Sequence, residues 1–419
     1  MLANFGRRLR ATLAVGVLAL LVIALTPTPP ARMSATGSSA AAGPALLTSS
    51  AARSSALTCH GILDDAARPP VLLVPGTAVT PEENWAPTYL PVLLDRGHAV
   101  CTVRLPDFAT KDVQANAEYV VTAIRTMAAR SSRRISIIGH SQGTLLSPVA
   151  LRMWSDLSPH VDDVIGLAGV YDHGSQEIAA RCATRCTPVL HQLAAGSAFL
   201  ADIRRRALPS GPAYTNIGTL GDTTVTPQPA ANQQPGAHSI LVQDVCPGRT
   251  VPISEHAFIV GDAVALALTL DALDHPGTAD LGRLDPNVCA DGQYPEFNVV
   301  QYLAASTLTG IRAGASTTSE PHLYCRHRST CRYPRLRGFL VTAPAFTIGR
   351  HSVVVRTRAL GPGRVKIRLG DRRVVSRVQA GPVSIRVRRP VGRAQLVVKT
   401  RPRHYSAWGV ERTKRIPGR

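Results

Sequence analysis

The fold is decided at residues 135–143, where the apolar run Ile135-Ser136-Ile137-Ile138 is followed by Gly139-His140-Ser141-Gln142-Gly143. The run predicts a buried strand, and the apolar and small residues from Gln142 to Trp154 predict a helix. A G-x-S-x-G motif between a strand and a helix is typical of a nucleophilic serine on a sharp turn. The flanking glycines remove Cβ atoms that would collide there. Ser141 is therefore the first candidate site residue.

Apolar runs alternate with helical patterns on both sides of this motif. Strands are predicted at 70–74, 99–105, 164–168 and 214–217, and helices at 89–96, 112–129 and 297–311. This alternation predicts an α/β fold with a mainly parallel sheet, in which ligands lie beyond the carboxyl ends of the strands. Ser141 and the Pro75-Gly76-Thr77 loop both fall at such ends.

A different pattern begins near Gly338. Short, often alternating runs at 352–356, 364–369, 383–388 and 394–399 predict an antiparallel β-domain, with a hairpin that turns at Gly370-Asp371. From residue 331 onward the chain has 23 Lys or Arg and two acids, whereas the preceding residues have 24 and 25. We therefore expect a near-neutral α/β domain at 57–337, followed by a small basic β-sandwich-like domain at 338–419.

Residues 1–36 have the features of a signal peptide. Arg7, Arg8 and Arg10 form a positive segment, and the apolar run that follows is shorter than the roughly 20 residues of a membrane-spanning helix. The Ala- and Ser-rich residues 37–56 are expected to form an unstructured lead-in. The protein is expected to be secreted or associated with the cell surface.

The even number of cysteines, eight, suggests disulfides in an exported chain but leaves their pairing open. Two pairs are close enough for local loops, Cys182 with Cys186 and Cys325 with Cys331; the other four are Cys59, Cys101, Cys246 and Cys289. No second Cys or His pair stands beside the Cys182–Cys186 spacing, so no metal site is expected.

A nucleophilic serine needs a base and an acid that orients the base. In α/β-hydrolases the acid follows the serine along the chain, and the histidine base follows the acid. Asp222 lies just past a predicted strand in a turn-rich stretch and is the preferred acid. The alternative interpretation is an Asp that only caps a turn. Three other acids compete with it: Asp202, Asp244 and Asp262.

His256, on a loop before the helix-like residues 263–273, is the preferred base, although a lone loop histidine is usually a solvated side chain. His140 lies within the serine motif, but its side chain is expected to point away from the Ser141 hydroxyl. The other downstream histidines are His238, His275, His322, His327, His351 and His404.

Much of the chain between Leu57 and about Cys331 resembles α/β-hydrolase lipases of the Candida antarctica lipase B type. The matching stretches, which keep their order and rough spacing, are Leu57–Gly61, Val71–Thr77, Asn84–Pro87, Asn116–Val121, Ser141–Gly143, Asp222–Gln228 and Glu255–Ala257. The resemblance implies that Ser141 is the nucleophile, His256 the base and Asp222 its orienting acid. It also implies an oxyanion hole formed by Thr77 and Gln142.

The resemblance further implies Cys59–Cys101 and Cys246–Cys289 bridges. The chain departs from the family in four respects. His140 stands where the family has Trp, and the family's last bridge is spaced more widely than Cys325 and Cys331. Asp172, by contrast, matches a further acid that lines the family's pocket. Cys182 and Cys186 are extra, in the region where a lid would lie. The basic β-domain has no counterpart.

The sequence thus predicts a secreted serine lipase or carboxylesterase that hydrolyses acyl esters such as triacylglycerol without a cofactor. The alternatives are a cell-envelope acyltransferase or polyester hydrolase of the same fold, and a non-catalytic surface-binding protein. The basic domain is expected to dock on an anionic membrane or cell-envelope surface, the alternative being a solvated arginine-rich face. Nucleic acid is a poor candidate, because Tyr333, Tyr405 and Trp408 are too scattered for a stacking platform.

Overall fold

The computed structural model describes residues 43–64, 66–250, 255–306, 312, 316–321, 341, 344–359, 363–379, 381–402 and 409–417. The predicted signal peptide at 1–36 therefore lies outside the described residues. So do Cys325, Cys331, His322, His327, His404, Tyr333, Tyr405 and Trp408.

Seven strands form the first sheet. They are β1 Leu57–His60, β2 Val71–Val74, β3 Val100–Val103, β4 Ile135–His140, β5 Val161–Leu167, β6 Ala213–Gly218 and β7 His238–Leu241. Their order across the sheet is β1-β3-β2-β4-β5-β6-β7. Only β1 runs antiparallel to its neighbour, so the sheet is mainly parallel, as the sequence predicts.

Twelve α-helices accompany these strands in the described part of the chain. The first six are α1 Ser50–Ser54, α2 Pro81–Asn84, α3 Tyr89–Asp95, α4 Val113–Arg130, α5 Gln142–Met153 and α6 Gln176–Arg181. The others are α7 Pro188–Leu193, α8 Ala198–Ile203, α9 Val242–Val245, α10 Glu255–Phe258, α11 Ala263–Asp274 and α12 Val299–Ser306. The helix predicted at 297–311 corresponds to α12, beyond which residues 307–311 are not described.

The sheet is covered on both faces, which is why its central strands are apolar throughout. Every residue of β2 is buried. Leu72 and Val74 belong to one core, which includes residues of α4 and α5, whereas Val71 and Leu73 belong to another, which includes residues of α3 and α11. Successive side chains of a strand point to opposite faces, so one short strand serves both cores.

The lead-in is ordered where it is described, contrary to the expectation for residues 37–56. The buried carboxylate of Glu118 in α4 accepts the backbone N–H groups of Leu47 at 2.9 Å and Thr48 at 2.7 Å. The indole of Trp154 donates to the carbonyl of Pro44 at 2.8 Å. The Ala- and Ser-rich composition predicted disorder. It could not show that the buried carboxylate of Glu118, far along the chain, needs hydrogen-bond donors from this segment.

Seven further strands, all antiparallel, form two sheets near the C-terminus. They are β8 Ala345–Ile348, β9 Ser352–Ala359, β10 Gly363–Leu369, β11 Arg372–Val378, β12 Gly381–Arg388, β13 Ala394–Pro402 and β14 Gly409–Ile416. One sheet has the order β11-β10-β13-β14 and the other β12-β9-β8. A single apolar cluster draws residues from both sheets, as in a β-sandwich. The predicted hairpin is present, with Gly370 and Asp371 between β10 and β11.

No helix among the described residues has both the length and the hydropathy needed to cross a membrane.

Candidate active site

Ser141 occupies the single residue between β4 and α5, with φ 52° and ψ −121°. Its two flanking glycines are required by close contacts. A Cβ on Gly139 would lie 2.6 Å from Gly143 and Thr144 backbone atoms, and a Cβ on Gly143 would lie 2.2 Å from the Val74 carbonyl oxygen. The strand, the sharp turn and the helix therefore pack so tightly that the serine side chain stands clear of its own backbone.

His256 in the short helix α10 reaches this serine from a distant part of the chain. Its Nε2 lies 2.9 Å from the Ser141 hydroxyl oxygen, and its Nδ1 lies 2.8 Å from Oδ2 of Asp222. These two distances are those of hydrogen bonds. A hydrogen at Nδ1 directed to the carboxylate leaves Nε2 free to accept the hydroxyl proton.

Asp222 makes two kinds of contact, one with each carboxylate oxygen. Oδ2 faces His256, while Oδ1 accepts the backbone N–H groups of Thr224 and Val225, both at 2.8 Å. The side chain follows β6 in a tight turn and the residue is 3% exposed. The two interpretations of Asp222, a turn cap and a partner of histidine, are therefore both present in one residue.

The competing acids are engaged elsewhere. Asp244 accepts the backbone N–H of Leu241, and Asp262 caps α11 while it pairs with Arg249 at 2.7 Å. Asp202 lies 4.0 Å from Arg205. Of the other described histidines, His238 contacts the Ala279 carbonyl and His275 contacts Asp271. His351 directly precedes β9, and its backbone carbonyl accepts the backbone N–H of Arg389.

Gln142 adjoins the serine in sequence, and Thr77 lies in a loop that packs against it. Gln142 is the first residue of α5, directly after Ser141. Gly76 is so close to the serine that a Cβ on it would lie 3.2 Å from the Ser141 Cβ, which brings the Thr77 loop to the site. The Thr77 hydroxyl is buried and has no hydrogen-bond partner within the described structure. A buried orphan hydroxyl beside a serine is suited to bind an incoming oxygen.

The Thr77 loop is held by contacts that sequence analysis did not foresee. Ala78 has a φ of 64°, and its N–H donates to the Phe108 carbonyl at 2.8 Å. The Ala78 carbonyl accepts from Arg312 at 3.3 Å. Arg312 also pairs with both carboxylate oxygens of Glu83 and lies 4.4 Å above the Phe108 ring. One arginine therefore links the loop that follows β2 to the loop that follows β3.

His140 does not contact the Ser141 hydroxyl, in agreement with expectation, but it supports the neighbouring histidine. Its Nε2 lies 3.0 Å from the His256 carbonyl oxygen, and its Nδ1 lies 3.2 Å from the Asn84 side-chain oxygen. Asn84 also accepts the Gly76 N–H at 3.0 Å. Burial, together with the neighbouring His256, lowers the pKa of His140 to about 4, so its ring is neutral near pH 7.

Two of the missed residues differ in how they could have been found. Asn84 lies within a stretch quoted for the family resemblance, so its position was marked although its role was not. Arg312 belongs to no motif, and its partner Glu83 is 229 residues away. No local pattern could have identified that contact.

Asp172 is engaged in a structural cluster. It forms a two-point ion pair with Arg152, with both distances 2.8 Å and side chains that are 5% and 1% exposed. Gln234 donates to the same carboxylate at 3.2 Å. The carboxylate of Asp172 is therefore occupied by Arg152 and Gln234, unlike the free carboxylate expected of an acid that lines a pocket.

Three disulfides are present among the residues that the structure describes. Cys59–Cys101 joins β1 to β3, Cys246–Cys289 spans the segment that contains His256, and Cys182–Cys186 closes a short loop after α6. The first two pairings are those that the resemblance implies. Within the described ranges, no group of three or more His, Cys, Asp or Glu side chains is arranged to hold a metal ion.

Comparison with known proteins places this geometry beside fungal lipases. The chain is 27% identical over 283 residues to lipase B of Pseudozyma antarctica, covering 64% of this chain and 81% of that protein. Its structure is similar to that of Aspergillus fumigatus lipase B, with a TM-score of 0.61 and 24% identity over 68% of this chain and 73% of the other. No family model matches. The fold is that of the α/β-hydrolases, and the chain resembles the lipase B type.

Proposed function

We propose that this protein is a serine ester hydrolase that acts on acyl esters, including lipid esters. The observation that carries the proposal is the continuous hydrogen-bonded series from the Ser141 hydroxyl through His256 to Asp222, at 2.9 and 2.8 Å. Its similarity to lipase B of Pseudozyma antarctica supports ester hydrolysis independently of that geometry.

In the proposed mechanism, His256 accepts the Ser141 proton at Nε2 while the serine oxygen attacks the ester carbonyl carbon. Asp222 stabilises the imidazolium that forms and holds its Nδ1–H. The carbonyl oxygen becomes an oxyanion, to which Gln142 offers its backbone N–H and Thr77 its N–H and hydroxyl. Each such donor typically lowers the barrier by about 3 kcal/mol.

The second half of the cycle clears the acyl group. His256 gives its proton to the departing alcohol, which leaves an acyl-enzyme on Ser141. A water molecule then loses a proton to His256 and attacks the same carbonyl. His256 returns that proton to the Ser141 oxygen as the acyl–oxygen bond breaks, which releases the acid and restores the serine. The proposed chemistry uses only side chains and backbone of the chain.

We propose a secreted or cell-surface location for this activity. Disulfides persist in oxidising environments outside the cytosol, and three are present in the described structure. The arginine-rich N-terminal segment followed by an apolar run is consistent with export.

The test is hydrolysis of p-nitrophenyl butyrate and p-nitrophenyl palmitate by the purified mature protein, beside the Ser141→Ala variant. We expect turnover of at least one ester that disappears in the variant, and the ratio of the two rates will distinguish an esterase from a lipase. A soluble, folded protein without turnover, or a Ser141→Ala variant as active as the parent, would overturn the proposal. Acyl transfer to a sugar alcohol faster than hydrolysis would identify an acyltransferase instead.

A further inference from the structure

The outer face of the four-stranded C-terminal sheet is unusually basic. Residues of β10 alternate between the two faces, and Val365, Ile367 and Leu369 belong to the apolar core. The residues that alternate with them, Arg364, Lys366 and Arg368, therefore lie on the opposite, outer face. We call this outer face of the sheet β11-β10-β13-β14 the basic face.

The strand register places like charges directly opposite each other on this face. Arg368 is paired with Arg373 of β11, and Arg364 is paired with Arg377. On the other side of β10 the pattern continues, because Lys366 is paired with Lys399 of β13 and Arg364 with Arg401. The register thus brings seven cations together over three neighbouring strands.

Such an arrangement is costly to the fold. Like charges directly opposite on neighbouring strands destabilise a sheet. Burial and the positive charges of Arg373, Lys399 and Arg401 lower the pKa of Lys366. A sheet that only needed polar side chains on its wet face would gain stability from neutral or opposite-charge partners.

The second sheet of the same sandwich has arginines without this cost. Its outer face has Arg356 opposite Ser384 and Arg386 opposite Val354. Arg388 lies opposite Ser352, and Arg358 opposite Pro382. The abundance of arginine therefore does not by itself force like charges together, and the pairing on the basic face is a local feature.

We propose that the basic face docks the enzyme on the surface of an anionic phospholipid bilayer. Arginine binds phosphate oxygens through two parallel N–H donors, and a sheet presents such groups over a broad area rather than in a groove. The register positions of the described face hold no aromatic side chain, so stacking on nucleic-acid bases has no support there. The inference rests on the proposed function, because a lipid-ester hydrolase meets its substrate at such a surface.

The test measures co-sedimentation of the purified mature protein with vesicles, in a Ser141→Ala background so that no lipid is consumed. Vesicles of phosphatidylcholine containing phosphatidylglycerol are compared with vesicles of phosphatidylcholine alone. One variant combines Arg364→Gln, Lys366→Gln, Arg377→Gln and Lys399→Gln. The matched control removes the same number of charges from the other sheet, through Arg356→Gln, Arg358→Gln, Arg386→Gln and Arg388→Gln.

The chain should bind the anionic vesicles and not the neutral ones, with binding that weakens as salt rises. The basic-face variant should bind about 10²- to 10³-fold more weakly, because four cations that attract an anionic membrane are removed, while the binding of the control variant should change much less. The thermal unfolding midpoint of the basic-face variant should be equal to or above that of the parent, because repulsion between like charges is removed. If the fourfold variant fails to fold, Lys366→Gln with Lys399→Gln provides the same comparison.

Equal loss in both variants, or unchanged binding in the basic-face variant, would overturn the proposal. Tighter binding to polyphosphate or duplex DNA than to anionic vesicles at equal phosphate concentration would also overturn it, in favour of a soluble polyanion. When the same substitutions are made in the chain that retains Ser141, its rate of p-nitrophenyl butyrate hydrolysis should be unaffected. That readout separates a failure of docking from a failure of the proposed catalytic function.

Discussion

At the scale of single residues, the two carboxylate oxygens of Asp222 have different partners. Oδ1 is bound by two backbone N–H groups of its own turn, while Oδ2 faces His256. The turn contacts fix the side chain in one orientation, so the oxygen that faces the histidine is positioned before any substrate arrives. Preorganisation of this kind is what electrostatic catalysis requires.

The two uses of Asp222 can be separated by two substitutions. Asp222→Asn keeps an oxygen for the turn but presents an amide to His256, so we expect kcat to fall by about 10³- to 10⁴-fold with little loss of stability. Asp222→Ala removes the turn acceptor as well and should also cost about 2 kcal/mol in the free energy of unfolding. Ester hydrolysis and urea denaturation measure the two effects. Equal stability of the two variants would show that the turn contacts are unimportant.

Sequence analysis singles out a candidate residue most clearly where the signal is local. Ser141 is framed by glycines within five positions, and the structure shows which backbone atoms exclude any larger residue there. Asp222 and His256 lie 34 positions apart, and only chain order and the resemblance favoured them over the other acids and histidines. The choice between a turn cap and a partner of histidine could not be made from sequence, because Asp222 makes both contacts.

At the scale of secondary-structure elements, the site is formed by loops at the carboxyl ends of strands. The loop after β2 carries Thr77 and the turn after β4 carries Ser141. The first of these loops depends on Arg312, which contacts the Ala78 carbonyl and the Glu83 carboxylate. Glu83 in turn completes a capping box with Thr80 at the start of α2. The Arg312 contacts and this capping box together hold the loop beside Ser141 in place.

We expect Arg312→Gln to lower kcat about tenfold with a smaller change in KM, because a looser loop misplaces the proposed Thr77 donors in the transition state. Arg312→Lys keeps a charge beside Glu83 and should recover part of the rate. Arg104→Gln is the matched control, since Arg104 pairs with the exposed Glu82 of the same helix. An Arg312→Gln variant that behaves like Arg104→Gln would remove Arg312 from the account.

The predicted elements differ from the observed ones where tertiary contacts decide. The central strands and α4 were predictable because apolar runs and three-to-four spacing are strong local signals. Leu47 and Thr48 of the lead-in are bound by the buried Glu118, a contact that composition could not reveal. The β10–β11 hairpin was predictable from its turn, whereas the β10–β13 pairing joins strands that are not consecutive. The charge pattern of the basic face depends on that pairing.

At the scale of the whole molecule, disulfides constrain segments of very different length. Cys246–Cys289 has a sequence separation of 43 and encloses His256, whereas Cys182–Cys186 has a separation of four. In the chain-entropy account, a bridge stabilises a protein by restricting its unfolded state, and the effect grows with the length of the closed loop. The longer bridge should therefore contribute more to stability.

Replacing both cysteines of each pair by serine tests this expectation. The Cys246→Ser/Cys289→Ser variant should lose about 2 kcal/mol more in the free energy of unfolding than the Cys182→Ser/Cys186→Ser variant. The measurement is urea denaturation of the two purified variants beside the parent. A larger loss from the short loop would show that native-state contacts of that loop outweigh the entropic effect.

Covalent labelling with a fluorophosphonate shows whether Ser141 is the activated nucleophile of this molecule. Intact mass and peptide mapping would be measured on the parent chain, Ser141→Ala and His256→Ala. We expect one phosphonyl group per chain, located on Ser141, absent from Ser141→Ala and formed much more slowly in His256→Ala. A folded parent chain that remains unlabelled, or a label on another residue that persists in Ser141→Ala, would show that Ser141 is not the activated nucleophile.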